Sequence, residues 1–599
     1  MASSGSSRHH KVIIVGAGFN GIVAAKTYLQ VDPSTDVLIV DGESEIGGVW
    51  SASRIYPGLM YEMPAPLLNF SDFNMCKELG IEMWGDVRGD QVNDFLVRYS
   101  QKFDIIKRCM LNTHVDSVER NGIGWKVLVR PARDEKGSLT TLTCDKLIVA
   151  TGITSKPRIA DYDLSKFGGF SFHPIEMGRR HKELVADSVH HVTIIGGHKS
   201  ALEAVGTCAQ AGKQVEWLIK EDGGGPTWLM PSKNPDGSSL AKMSTKRAMS
   251  VLSASIYNSS RWIDRFLHSG RWWLGTWIVT WFWGFMTRQV QQDKYTKSEN
   301  GRRLKPTPES MFWFVPGGTI THDRDLETLR LIDEEKLVRV SRAHMVSVSG
   351  HEVKLSNSQS FNTDAIVMCT GWELSSRPIF SPTLAYDVGL PADPSVVPDV
   401  EKQHWKILDL AAEKQVLETY PILANPPSNV HIPKSALTPY RLFRFMVPIK
   451  MAARGDNTLI FLGNYANGRV QATAEINSLW GVAYLEGLLP PLTSALLRNQ
   501  KAMEKDIAYI ESFRNKRYLN CFPYRLSIFE TPEYDDLILK DLGLRPDRKR
   551  MNIPSGWRGC FGLRAWVAEW FEGYFAEDYE GIVDEFLKSV GRIPGKPKP

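Results

Sequence analysis

A short apolar run, Val12-Ile13-Ile14-Val15, leads directly into Gly16-Ala17-Gly18-Phe19-Asn20-Gly21, and a helical pattern follows. In a strand–loop–helix unit of this kind Gly16 permits the tight turn and Gly18 lets the backbone approach a pyrophosphate. Gly21 allows the helix to pack closely on the strand. Phosphates then sit on the helix N-terminus, near Phe19 and Asn20, where free N–H groups and the helix dipole favour negative charge. The next strand, Val37-Leu38-Ile39-Val40, ends at Asp41, which lies 20 residues past Gly21. A carboxylate at that distance suits a ribose hydroxyl pair. The chain is thus expected to hold a dinucleotide on a Rossmann-type unit.

At 599 residues the chain is too long for one compact core. Val192-Thr193-Ile194-Ile195 and Leu459-Ile460-Phe461-Leu462 also run into glycine turns, and two further apolar runs end in Thr151-Gly152 and Thr370-Gly371. Continuous β-branched runs suit strands covered on both faces. The expected architecture is α/β, with two Rossmann-type dinucleotide-binding domains, the second inserted in the first. The first domain is assigned to 11–157 and 337–490, the inserted domain to 158–336, with an aromatic-rich insertion at about 240–310. Residues 491–599 read as a helical C-terminal cover.

The net charge of +5 is spread without basic runs, so no nucleic-acid partner is expected. Seven scattered cysteines, none in a C-x-x-C pair, argue against a redox dithiol and against a metal site. They suit a reducing compartment. The first ten residues are small and polar, so the expected location is intracellular, cytoplasmic or peripheral to a membrane.

After Asp41 comes Gly47-Gly48-Val49-Trp50, a loop fit to pass close to a flavin ring. This combination resembles the flavin-containing monooxygenases and the related Baeyer–Villiger monooxygenases, especially fungal members acting in secondary metabolism. The similarity continues through Tyr56-Pro57-Gly58-Leu59, Phe70-Ser71-Asp72-Phe73 and the paired Thr-Gly turns to Leu462-Gly463-Asn464. The resemblance implies FAD held by the first loop, Asp41, Gly48, Val49, Trp50, Asp72, Thr151, Gly152, Thr370, Gly371, Gly463 and Asn464. Phe167 to His173 matches the F-x-G-x-x-x-H fingerprint that marks the crossing to the NADPH domain, with an architectural role implied for His173.

The second loop reads Gly196-Gly197-His198-Lys199-Ser200-Ala201, with His198 where a second glycine is expected. A side chain there should push a pyrophosphate outward. Lys199 is expected to offer positive charge beside Ser200. The following strand ends at Lys220, and a cation at that point favours the 2′-phosphate of NADPH.

The resemblance implies that NADPH reduces FAD, that O₂ adds at the flavin C4a, and that the (hydro)peroxyflavin delivers one oxygen atom to a bulky apolar metabolite. Flavin and O₂ carry that chemistry, so no catalytic triad is needed. Glu62 falls where the flavin-containing monooxygenases often carry Asn beside the flavin, and there a carboxyl group with a pKa raised by burial is a candidate general acid or base. An NADPH oxidase releasing H₂O₂ and a non-catalytic FAD-binding protein stay open as alternatives. The uncharged, aromatic-rich stretch Trp272 to Met286 has fifteen residues, short of the roughly 20 needed to span a bilayer. Packed core is one reading of it. The other is a lid or a monotopic anchor contacting a membrane surface, with Arg261, Arg265, Arg271 and Arg288 suited to anionic headgroups.

Overall fold

The computed structural model describes residues 8–594 apart from 135, 235, 258–260, 292–293, 314–316, 374–378, 430–434, 520–524, 527–528, 552 and 554–561. The expected α/β architecture is present. β1 (Arg8–Val15) lies at the centre of the first sheet, parallel to β2 (Val37–Val40) on one side. The short β3 (Cys109–Met110) extends that side. β4 (Thr113–Asn121) and β5 (Gly124–Pro131) form an antiparallel pair. On the other side of β1 runs β6 (Thr140–Val149), which has two further neighbours along its length. Its first half pairs antiparallel with β5, and its second half pairs parallel with the distant strand Leu459–Phe461. Every residue from Leu147 to Val149 is buried, as the uninterrupted apolar run requires of a strand covered on both faces.

The second sheet is wholly parallel. Its strands are β7 (Phe170–Phe172), β8 (His191–Ile195), β9 (Gln214–Leu218), β10 (Val338–Ser341) and β11 (Ala365–Met368), in the spatial order β10-β9-β8-β11-β7. This corrects the boundary expected near Lys336. Val338 pairs with Val215, and Ala365 pairs with Val192, so both late strands belong to the inserted domain. A β-branched run reads alike in either sheet; its partner is chosen by contacts far along the chain.

Between β9 and β10 the chain makes a mainly helical excursion, closed at its base by the parallel strands Trp228–Pro231 and Gly318–Thr321. This excursion packs against the C-terminal helices, which include Gln500–Arg517 and Thr531–Asp541. Buried Arg247 reaches Asp536 at 2.5 and 2.7 Å and Glu569 at 2.7 Å. Breaking such a buried pair by removing one partner costs about 3–5 kcal/mol. Arg517 lies 4.2 Å from the ring centre of Phe312, and its Nη2 donates to Ser253. The insertion and the C-terminal extension therefore form one helical layer.

Helix α1 (Phe19–Val31) leaves the first glycine loop and packs along the helix Val470–Leu485, in which every residue after Val470 is buried. Lys26 of α1 contacts Asp72 at 2.6 Å and Glu475 at 3.5 Å. Glu475 also accepts from the backbone N–H and the hydroxyl of Ser71, and burial pushes its carboxyl up to about 7.

Candidate active site

The first glycine loop has the steric signature its sequence predicts. Gly16 adopts φ +108°, and a Cβ there would collide with the carbonyl of Ala150, just before Thr151-Gly152. A Cβ on Gly21 would strike the Gly16 carbonyl, so helix and strand meet at backbone distance. Gly18 differs, because the nearest atom to a Cβ there is Gly48 Cα at 3.8 Å. Its missing side chain is not demanded by protein packing and leaves room for a ligand. The first turn of α1 at Phe19 and Asn20 presents amides that no helical carbonyl can satisfy.

The other expected contacts converge on this loop. Asp41 accepts from Ala17 N–H at 2.6 Å and Glu43 N–H at 2.8 Å, which fixes its carboxylate at the tip of β2. Burial pushes that carboxyl above its usual range, against the pull of the two donors. Gly47 N–H donates to the Ala17 carbonyl at 2.9 Å and so lays Gly48, Val49 and Trp50 beside the loop as a single 3-10 turn. Trp50 packs against Tyr61, with ring centres 5.2 Å apart. Gly463 abuts Asn20: a Cβ on it would come within 2.7 Å of the Asn20 amide nitrogen. Beside it the buried Asn464 Nδ2 has no hydrogen-bond partner among the described residues, a polar atom that a bound cofactor would satisfy. The residues fit FAD. Asp72 turns Oδ2 to Lys26, which fastens the 70–73 loop to α1, while its buried Oδ1 has no hydrogen-bond partner among the described residues.

The second loop repeats the geometry with different side chains. Gly196 adopts φ +133°, and a Cβ would collide with the carbonyl of Cys369, just before Thr370-Gly371. Gly197 faces the backbone of Gly225. His198 precedes helix α2 (Lys199–Gln210), opens onto the cavity near Gly224, and has its pKa lowered by loss of bulk water. Lys199 does not stand free to meet a phosphate as expected. Its ammonium donates to the Met60 carbonyl at 2.9 Å and to Glu203 at 2.5 Å, while Glu203 accepts from Tyr56 at 2.7 Å. These three side chains stitch α2 to the 56–62 loop of the first domain. Ser200 lines the cavity, as does Lys220, whose ammonium lies 3.2 Å from Asp222 at the rim. His173 holds the Gly371 carbonyl through Nε2 at 3.0 Å and accepts from Ile175 N–H at Nδ1. With burial lowering its pKa, it is an architectural neutral imidazole.

Between the two sheets and under the helical layer lies one cavity of about 1280 Å³. It runs from His198 and Lys220 past Trp50 and Glu62 to Met243, Met286 and Met311. Glu62 faces this space. Burial raises its pKa, Lys199 and His322 pull it down, and Glu203 pushes it up; the net shift is upward. Two cations escaped sequence reading. Arg158 lines the cavity beside Gly371, whose carbonyl accepts its backbone N–H at 3.0 Å. Arg342, half-buried and 4.0 Å from where a Cβ of Gly225 would be, keeps its Nε without a partner among the described residues. The signal for Arg342 was its place just after a strand, at the carboxyl edge of a parallel sheet where ligands bind. It was missed because β10 was assigned to the other domain.

Residues 10–224 match the family described as pyridine nucleotide-disulphide oxidoreductases. An FAD-dependent monooxygenase of Pyrenophora dematioidea is 33% identical over 556 residues, covering 90% of this chain and 99% of the relative. The FAD-dependent monooxygenase rstn6 of Aspergillus nomiae is 32% identical and covers 97% of this chain and 99% of its own length. The chain belongs to the FAD-dependent monooxygenases. FAD is therefore its cofactor, and the enzyme is an oxidoreductase. Two solved structures share its fold at 14% identity. The OTEMO complex with FAD and NADP has a TM-score of 0.59, covering 89% of this chain and 97% of that one. The polycyclic ketone monooxygenase of Thermothelomyces thermophila has a TM-score of 0.57, with 89% and 88% covered. The monooxygenase reading and the absence of C-x-x-C agree: the chain shares nucleotide folds with the disulphide oxidoreductases, not a dithiol centre.

Proposed function

We propose that this FAD-dependent monooxygenase consumes NADPH and inserts one atom of O₂ into a bulky, mostly apolar secondary metabolite. The observation that carries this reading is the continuous cavity, which joins the second nucleotide loop, the Gly47–Trp50 turn and a methionine-rich apolar end. Flexible methionines suit a large apolar guest. FAD supplies the two-electron chemistry with O₂ when bound. The chain's own contributions are to orient nucleotide and substrate, to exclude water and to manage protons.

NADPH is favoured by Lys220 just beyond β9, with Arg342 just beyond the neighbouring strand β10 as a second cation for a 2′-phosphate. Glu62 is proposed as the proton-handling group, because its carboxyl faces the cavity between the two loops with a raised pKa. Its folded pKa is above the usual carboxylate range, so the protonated form persists to higher pH than in water and is lost as pH rises through that value. Glu62→Gln is expected to keep its FAD absorbance and to slow turnover by at least about tenfold, near the lower range for lost acid–base catalysis. It should also abolish the limb of the pH–rate profile that reports this carboxyl. Unchanged turnover with an unchanged profile would remove Glu62 from the chemistry. Stoichiometric H₂O₂ formation with every candidate metabolite present would replace the monooxygenase reading with an oxidase.

A further inference from the structure

The aromatic stretch becomes helix α3 (Trp273–Gln291), and its two faces have opposite fates. Gly275, Val279, Trp283 and Val290 are buried. Gly275 meets the backbone of Phe266, Trp283 donates its indole N–H to the Leu252 carbonyl at 2.8 Å, and Phe282, Trp283 and Met286 line the cavity. Trp273, Trp277, Trp281 and Phe285 are exposed by 40–79%. At roughly 100° per residue, these two sets lie on opposite sides of the helix. The outward rings stack on one another, Trp277 on Trp281 at 6.3 Å and Trp281 on Phe285 at 5.8 Å. Core packing explains one face and leaves the other.

The exposed face does not end with α3. Trp262, 76% exposed, begins the preceding helix, and the guanidinium of neighbouring Arg261 lies 5.6 Å from the ring of Trp570. Trp570 sits on helix α4 (Leu563–Phe571), which exposes Leu563, Trp566, Val567 and Phe571. Monomeric proteins rarely present a broad apolar patch without a partner for it. The charge along it is mainly positive: α3 contains no acidic residue, Arg265, Arg271, Arg288 and Arg564 are exposed, and the exposed carboxylate Glu572 stands just beyond the end of α4. Arg288 continues the outward stripe one turn beyond Phe285. Tryptophan in place of aliphatic side chains, with arginines at the margin, is the composition of a bilayer interface. Among the described residues no helix is long and apolar enough to cross a membrane.

We propose that this face binds the surface of an anionic lipid bilayer, with α3 lying in the headgroup plane and its tryptophans at the acyl boundary. The cavity wall built by the inner side of α3 would then stand about one helix diameter, roughly 10 Å, from the lipid. That suits an apolar substrate drawn from the membrane. The link to substrate rests on the monooxygenase reading; the binding itself does not.

The test uses the full-length, FAD-loaded protein and sedimentation with phosphatidylcholine vesicles, with and without phosphatidylglycerol. The protein is expected to pellet with the anionic vesicles, less so with the neutral ones, and its tryptophan emission is expected to shift to the blue. Replacing Trp273, Trp277 and Trp281 together by Ser should weaken binding at least about tenfold, as several interfacial rings are lost. Arg271→Glu combined with Arg288→Glu should reduce binding to anionic vesicles while leaving neutral ones unaffected. Flavin absorbance and circular dichroism of both variants show whether they are folded. Wild-type protein that stays in solution with both vesicle types overturns the proposal. So does lipid-free self-association that the triple variant abolishes, which would assign the face to a second copy of the chain. No turnover is read, so either failure leaves the assignment of the reaction untouched.

Discussion

The two glycine loops occupy the same place in two similar sheets, yet they make different demands on their ligands. Gly16 and Gly196 share a positive φ and the same close approach to a carbonyl preceding a Thr-Gly turn, Ala150 in one domain and Cys369 in the other. Each is followed by a helix starting three residues later. The loops part at the next conserved function of the motif. Gly18 offers bare backbone beneath the Gly47-Gly48 turn, whereas His198 places an imidazole where bare backbone would be. The first loop is built for a pyrophosphate held at main-chain distance. The second presents an imidazole at that position and cations at the cavity rim, and its own lysine is committed to Glu203. The structural turn is shared; the ligand-facing position is where the loops specialise.

The comparison is most severely tested at Gly16. Gly16→Ala combines a positive φ with a clash against backbone, and the strain alone costs about 1–3 kcal/mol before the sheet edge shifts. Loss of both FAD and cooperative thermal unfolding is expected. Gly18→Ala should separate ligand space from packing, since its Cβ meets protein only at 3.8 Å. That variant is expected to fold with little change in apoprotein Tm while FAD affinity falls at least about tenfold, a loss of about 1.4 kcal/mol. Equal damage to the apoprotein from both substitutions would mean that Gly18, too, is a packing glycine.

At the second loop the expected effects are smaller and fall on the other nucleotide. Lys220→Ala should raise the KM for NADPH about tenfold and leave NADH use unchanged, because one surface charge to a 2′-phosphate is lost. A parallel loss with both nucleotides would deny Lys220 that role. His198→Gly makes the loops alike, and the KM for NADPH is expected to change by no more than about threefold, given side-chain recognition at the rim. FAD content should be unaffected. A large gain in NADPH affinity would show that His198 obstructs a main-chain cradle after all.

Much of the site was legible because its signals are local. Gly16, Gly18, Gly21, Asp41 and the Gly47–Trp50 turn act through backbone geometry within a short stretch of chain, and each stands where the pattern put it. Asp72 and Lys199 each engage a countercharge within the protein: Lys26, shared with Glu475, beside the first, and Glu203 beside the second. No spacing rule reports such a pairing. The aromatic stretch was readable as apolar, but its division into a cavity wall and an exposed face depends on what packs against α3.

The sequence alone determined the strand–glycine–helix units, the identity of the first nucleotide through its family pattern, and the helical character of the C-terminal residues, since steric and hydrogen-bond rules within a few residues suffice for these. Tertiary structure alone decided that β10 and β11 complete the second sheet, that Lys199 is ion-paired with Glu203, and that Glu62 faces the cavity between the loops. Strand pairing, ion pairing and burial join residues distant along the chain, and that proximity exists only once the chain has folded.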